Sequence, residues 1–273
     1  MKLKSLIGIV FVFSCLSTFA QSSPQTVAEF MVQTGLKDQV AQLDGMIQTK
    51  IEEKKSTFAK PEQFDLFKKI MTSGMNSKSA EKYIVEYLEK YTGEDSLKQV
   101  VVLYKDPFMQ EFNRIEKESG TPASRQKMPA YFESFKTTPP VPERVQQLLS
   151  LTQDMKAAEI AVKMIRNIVV SMIKGSNNMH PKAEQVSDIE ITGQMDVTFN
   201  ADYEKQMTNQ MLAYSLFVYK DVPDEKLNRY LEVWKTPTGK YCMDRIMKAY
   251  DYAFSKMGEI SGGSISTLGE GQK

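Results

Sequence analysis

The sequence predicts an all-α protein made of two tandem helical repeats that pack together as a pseudo-symmetric bundle. The first observation is that apolar residues recur three and four positions apart along nearly the whole chain, which places them on one face of successive helices. The second is an internal duplication, because the segment 97–107 (LKQVVVLYKDP) aligns without a gap with the segment 227–237 (LNRYLEVWKTP). A repeated segment repeats its packing partners, so the duplication constrains the architecture of the whole chain.

Residues 1–20 read as a secretory signal peptide. Lys2 and Lys4 form a short basic region, an apolar run covers residues 6–16, and Ala20 ends a small-x-small cleavage site before Gln21. The apolar run is too short to span a bilayer. We therefore expect an exported protein, periplasmic or secreted, that is not transmembrane. The alternative is a lipoprotein anchored through Cys15.

Composition excludes several classes of partner and fold. Without Lys2 and Lys4 the chain holds 33 basic against 34 acidic residues, so it gives no electrostatic reason to expect binding to nucleic acid or to an anionic membrane surface. Beyond the signal the only cysteine is Cys242, which excludes an intramolecular disulfide. The oligomeric state and the identity of any ligand or partner stay open.

Apolar stripes predict the main helices in chain order. The stripes are Leu36/Val40/Leu43/Ile47, Tyr83/Ile84/Tyr87/Leu88/Tyr91, Met155/Ala158/Val162/Ile165/Val169/Met172 and Met243/Met247/Tyr250/Phe254/Met257. Between residues 160 and 173 apolar residues cover most sides of the helix, so this helix is predicted to be central and buried. The alternation in 189–199 fits either a small hairpin or a helix, and we favour the helix.

Prolines mark helix starts and the repeat boundary. Ser, Asp or Thr precedes Pro at Ser23-Pro24, Asp106-Pro107, Thr121-Pro122 and Thr236-Pro237, which is the pattern of a capping residue before the first helical position. The Pro-rich segment 137–142 is the predicted linker between repeat one (24–136) and repeat two (143–260). The Gly/Ser-rich tail 261–273 is predicted to be disordered.

The second copy of the duplicated segment carries a resemblance to a known family. Tyr219-Lys220, an acidic turn, Leu227 and the run 234–240 (WKTPTGK) resemble the signature of the bacterial secreted family called domain of unknown function 2059. The match is clear near 200–245. A degraded copy lies near 80–112, where Asp106 and Met109 replace Ser/Thr and Gly. The resemblance implies an all-α protein of the bacterial envelope and implies no activity.

Catalytic and metal-binding chemistry has few candidate residues. His180 is the only histidine and lies in a polar loop, so clusters of His and Cys, and a catalytic triad that needs histidine, are absent from the sequence. The acids Glu94-Asp95 and Asp224-Glu225 occupy the predicted first turns of helices, where the helix dipole explains them. We expect no metal and no cofactor, and we favour a protein that is not an enzyme.

Aromatic residues concentrate in repeat two and suggest a binding site. The candidate surface is the second-repeat corner, formed by Tyr230, Trp234, Pro237, Gly239, Tyr241 and Arg245. Glycine inside a helix costs stability, so Gly239 indicates that another backbone or a ligand comes close. We expect an exported, non-catalytic protein that binds a partner or a small apolar ligand, with a pocket between the repeats as the default site. The alternatives are an envelope hydrolase that uses carboxylates and a carrier of hydrophobic ligands.

Overall fold

A computed structural model describes residues 21–177 and 181–269, and within these ranges the chain is all-α, as predicted. Short 3-10 turns at 55–57, 134–136 and 182–184 and an isolated antiparallel bridge between Gln21 and Gly93 are the other regular features. The helices are α1 Pro24–Gln33, α2 Leu36–Ala41, α3 Leu43–Glu53, α4 Pro61–Gly74, α5 Ser77–Tyr91, α6 Glu94–Lys105, α7 Pro107–Ser119, α8 Pro122–Arg125, α9 Met128–Glu133, α10 Pro142–Asp154, α11 Ala157–Asn177, α12 Asp188–Thr198, α13 Ala201–Val218, α14 Asp224–Lys235 and α15 Pro237–Gly269.

All four predicted Pro-containing helix starts are confirmed. Each capping side chain accepts a hydrogen bond from a backbone N–H of the first turn, which has no partner within the helix. The bonds run from Thr26 N to Ser23 Oγ (3.3 Å), from Phe108 N to Asp106 Oδ1 (2.8 Å), from Ser124 N to Thr121 Oγ1 (3.3 Å) and from Gly239 N to Thr236 Oγ1 (3.0 Å). The chain therefore turns sharply between α6 and α7 and again between α14 and α15.

The two halves of the chain share one hydrophobic core. Helix α15 packs against α4, α5 and α6 of the first half and against α11 and α14 of the second. Helix α1 packs on α6, and α10 packs on α14. Tyr104 and Trp234, which occupy equivalent positions of the duplicated segment, contact each other with ring centroids 6.4 Å apart. The predicted pseudo-symmetry of the repeats stays a prediction, but their association through a common core is observed.

The duplicated helices bury the predicted faces. Leu97, Val100, Val101 and Tyr104 of α6 and Leu227, Tyr230, Leu231 and Trp234 of α14 are all buried. The acids of the first turns act differently in the two copies. Glu94 accepts hydrogen bonds from the backbone and side chain of Ser23 at the start of α1, whereas Asp224 pairs with Arg144 of α10 at 2.5 Å.

Position 239 requires glycine because the backbone of α14 comes close to it. The sequence predicted either a close backbone or a ligand at this position, and the structure shows the backbone. A Cβ atom on Gly239 would lie 2.3 Å from the carbonyl oxygen of Val233 and 2.9 Å from Cα of Trp234. Glycine thus allows α15 to start against the last turn of α14.

One sequence-based expectation about a helix is corrected. Helix α11 packs centrally, against α4, α10, α12, α13 and α15, but most of its side chains are half-buried rather than buried. The reason is that each neighbouring helix covers only part of the surface of α11. Helix α15 continues to Gly269, into the segment 261–273, and the disorder predicted for this tail stays a prediction. Extending an existing helix needs no new nucleus, so weak helix formers can follow a stable segment.

The segment 189–199 forms helix α12 up to Thr198, as favoured, and not a hairpin. The predicted signal peptide 1–20, which includes Cys15, lies outside the described residues. So do His180 and residues 270–273. The segment 137–141 separates the 3-10 turn that ends at Lys136 from α10.

Candidate functional site

Tyr230 and Trp234, two of the six predicted binding residues, are core residues. Trp234 is 1% exposed and Tyr230 is 2% exposed. Their rings pack edge-to-face with centroids 5.5 Å apart, at the centre of the contact between α6, α7 and α14. Both side chains are therefore turned away from the surface, and their part in binding stays a prediction.

The other four predicted residues lie along the start of α15. Pro237 is exposed and Gly239 is buried at the corner. Arg245 is half-buried, stacks over the Tyr241 ring at 5.1 Å and donates to the carbonyl oxygen of Tyr91 at 3.3 Å. The structure thus brings Tyr241 and Arg245 together against α5, and these contacts join the two halves of the protein.

A cavity of about 310 Å³ lies between the halves, where the sequence placed the default ligand site. Its wall comes from the α1–α2 turn, α7, α8, α10 and α13. The residues that line it are Gly35, Asp38, Gln39, Gln42, Asn113, Glu116, Lys117, Gly120, Arg125, Leu151, Thr152, Met155, Ala157, Met211, Tyr214, Ser215, Val218 and Tyr219. The lining combines apolar and polar side chains, so the cavity suits a small ligand with both kinds of group.

Glu116 is the most unusual residue of this lining. Met109 and Phe112 are buried on the core face of α7, and Glu116 follows them at helical spacing on the same face. The residue as a whole is half-buried because it borders the cavity, while its carboxyl group lies among aromatic rings. The spacing of α7 therefore places an acid where an apolar side chain is expected.

Two tyrosine hydroxyls hold one oxygen of this carboxyl group. Oε1 of Glu116 accepts from the Tyr219 hydroxyl at 2.7 Å and from the Tyr230 hydroxyl at 2.6 Å. The Tyr230 ring stacks on Phe112 with centroids 3.9 Å apart and planes 12° apart. This packing fixes the hydroxyl that Tyr230 donates. Within the ranges that the structure covers, the second oxygen, Oε2, accepts no hydrogen bond.

Burial determines the direction of the pKa shift of Glu116, because no opposite charge in the described part of the chain pairs with its carboxyl group. Burial raises the pKa of Glu116, and the hydrogen bonds from Tyr219 and Tyr230 only partly oppose this. Burial, followed by the charge of Glu116, raises the pKa of both tyrosines well above the usual range, so both stay neutral and donate. The other titratable or charged groups on the surrounding elements are Tyr104, Tyr214, Asp38, Lys117 and Arg125.

The surrounding backbone holds the site in place. Arg144 donates to the carbonyl oxygens of Tyr219 at 2.6 Å and Val222 at 2.8 Å, which fixes the chain just after α13. Gly35 has a positive φ of 72°, and a Cβ there would lie 3.2 Å from Oδ1 of Asn113. Glycine therefore lets the α1–α2 turn form one wall of the cavity against α7.

The site does not assemble the carboxylate pair that the alternative function, an envelope hydrolase, would use. Asp38, the other acid on the cavity wall, is exposed and pairs with Lys117 at 2.6 Å. Burial raises the pKa of the Cys242 thiol to about 12, so this thiol is no nucleophile at neutral pH. Across residues 21–177 and 181–269, no group of three or more His, Cys, Asp or Glu side chains could hold a metal ion.

Sequence reasoning missed Glu116 and the role of Tyr219 and Tyr230 as its donors. The signal was present, because an acid follows Met109 and Phe112 on the apolar stripe of α7. Its partners could not be read from the sequence, since they lie 103 and 114 residues away.

Comparison with known proteins adds no relative. Family models, curated proteins and solved structures each give no significant match to the chain. The resemblance of residues 200–245 to the domain of unknown function 2059 therefore stays a prediction. None of the helices in the described ranges combines the length and apolar character needed to cross a membrane.

Proposed function

We propose that this is an exported, non-catalytic helical protein that binds a small ligand in the cavity between its two halves. The observation that carries the proposal is the half-buried carboxyl group of Glu116, which is anchored on one oxygen and borders a cavity of about 310 Å³. A carboxyl group packed among aromatic rings loses part of its hydration on folding, which lowers stability. Its retention beside a cavity is typical of a residue that serves binding.

The size of the cavity favours a small molecule. Ligand sites commonly measure ~300–1,000 Å³, so this one lies near the lower end. Leu151, Met155 and Met211 supply apolar wall, while Glu116 and Tyr214 supply polar groups that could orient a ligand. A protein that carries its ligand through the envelope would have the same features.

Native mass spectrometry of protein purified from its own host tests this proposal. The wild-type protein should carry a small adduct, and Met211→Trp should lose it because the larger side chain fills the cavity. Met46→Trp is the matched control, since Met46 is 53% exposed on α3 and does not line the cavity. A folded wild-type protein without any adduct, or an adduct that persists in Met211→Trp, would contradict ligand binding at this place.

The same spectrum tests export. A mature chain that begins at Gln21 has lost the signal peptide and carries no lipid. A lipid-modified chain would instead begin at Cys15, and a chain that retains residues 1–20 would contradict export.

A further inference from the structure

The free oxygen of Glu116 narrows the class of ligand, provided that the cavity binds a ligand as proposed. Both tyrosine hydroxyls donate to Oε1, at 2.7 and 2.6 Å, so the described part of the chain supplies no donor to Oε2. A carboxylate oxygen can accept two hydrogen bonds. A ligand in the cavity beside Glu116 is therefore expected to present a donor to Oε2.

Among the described residues the carboxyl group of Glu116 has no ion-pair partner, although Arg125 lines the same cavity. Lys117, the next residue, pairs with Asp38 at 2.6 Å, and Lys226 of the facing helix pairs with Glu111 at 2.8 Å. No Lys or Arg in the described ranges forms a salt bridge with Glu116. Because Glu116 has no partner of opposite charge there, a cationic ligand group beside it gains a charge-assisted hydrogen bond.

Aromatic rings and apolar side chains complete the recognition. Tyr214 and Tyr219 line the same cavity as Glu116, and an aromatic face attracts a cation. Leu151, Met155 and Met211 line the cavity with apolar surface. This surface suits a carbon body attached to the charged group.

We propose that the ligand is a small organic amine whose protonated nitrogen donates to Oε2 of Glu116. The nitrogen lies against Tyr214 and Tyr219, and the carbon body contacts the apolar wall around Met211. A primary amine fits better than a quaternary one, because a quaternary nitrogen has no N–H to donate.

Isothermal titration calorimetry of the full mature chain at pH 7 tests the ligand class. The probes are 2-phenylethylamine, its neutral analogue 2-phenylethanol and its trimethylated ammonium analogue. We expect the primary amine to bind most tightly to the wild-type protein. In Glu116→Gln the amide can still accept from the tyrosines, but its NH₂ group faces the ligand, so amine affinity should fall by at least about tenfold.

Glu118→Gln is the matched control for Glu116→Gln. Glu118 is on the same helix, is exposed, pairs with Arg114 at 2.9 Å and does not line the cavity. The substitution removes the same charge, so amine affinity should stay within about twofold of the wild type, since exposed ion pairs contribute little. Equal losses in Glu116→Gln and Glu118→Gln would show a general charge effect and overturn the assignment to Glu116.

The outcomes separate this inference from the proposed function. If 2-phenylethanol binds as tightly as the amine and Met211→Trp abolishes both, the cavity binds ligands but the amine class is wrong. A trimethylated analogue that binds as tightly as the amine would overturn the hydrogen bond to Oε2. If none of the probes binds, the amine class is refuted, while the adduct measured on protein from its own host still decides whether the cavity has a ligand.

Discussion

Replacing Gly239 by alanine is expected to destabilise the protein through a clash with backbone. The added Cβ would lie 2.3 Å from the Val233 carbonyl oxygen and 2.9 Å from Cα of Trp234, whereas relaxed contacts between heavy atoms are roughly 3.5 Å. Neither contact can be relieved by rotating a side chain. The start of α15 and the end of α14 would have to separate by about 1 Å, which disturbs the packing of buried Trp234.

Two opposing effects determine how much Gly239→Ala changes the free energy of unfolding. Overpacking a close contact costs about 1–3 kcal/mol, and the backbone origin of this clash puts it at the upper end. Alanine is better than glycine inside a helix by up to about 1 kcal/mol. The clash therefore wins, and the free energy of unfolding should fall by about 2 kcal/mol.

Gly193→Ala is the control, because Gly193 lies inside α12 and a Cβ there would meet no heavy atom within 4 Å. The control should raise the free energy of unfolding by about 0.5–1 kcal/mol. Urea unfolding followed by far-UV circular dichroism measures both variants. If both substitutions shift the stability in the same direction, the proposed close approach at Gly239 is not what determines it.

The remaining predictions concern the core and two carboxyl groups. Trp234→Ala should lower the free energy of unfolding by about 3–5 kcal/mol in urea, because it empties a site that is 1% exposed; a loss below about 1 kcal/mol would contradict its core position. Hydrogen bonds from Thr26 and Ser23 lower the pKa of Glu94 to about 2, so its stabilisation is present above pH 4.5 and lost as the pH falls to 2; Glu94→Gln should remove this loss from the stability–pH profile. Burial raises the pKa of Glu116, so the free energy of unfolding should fall as the pH rises above 4.5, which is the opposite of the effect of Glu94. Glu116→Gln should remove this fall from the stability–pH profile. A profile that Glu116→Gln leaves unchanged would refute the burial of the Glu116 carboxyl group.

Local patterns made much of the fold predictable from the sequence. The capping bonds at Ser23, Asp106, Thr121 and Thr236 depend on neighbouring residues only, and all four form as predicted. The apolar faces of the duplicated helices follow from helical spacing for the same reason.

Packing between distant segments limited what could be predicted. Apolar residues on all sides of α11 predicted a buried helix, yet most of its side chains are half-buried because partial cover comes from several helices. The aromatic corner was predicted as a surface, but Tyr230 and Trp234 turn inward against α6 and α7. The candidate site escaped prediction because Glu116 and Tyr219 meet only in the folded chain.

The most direct test of the ligand site is a ¹³C NMR titration of the Glu116 carboxyl group, assigned with Glu116→Gln, without ligand and with 2-phenylethylamine. We predict a pKa above 4.5 in the ligand-free protein, because burial disfavours the charge, and a lower pKa when the amine supplies the opposite charge. A carboxyl group that titrates near 4.5 in both samples would contradict the account, since it would be exposed to water and indifferent to the ligand.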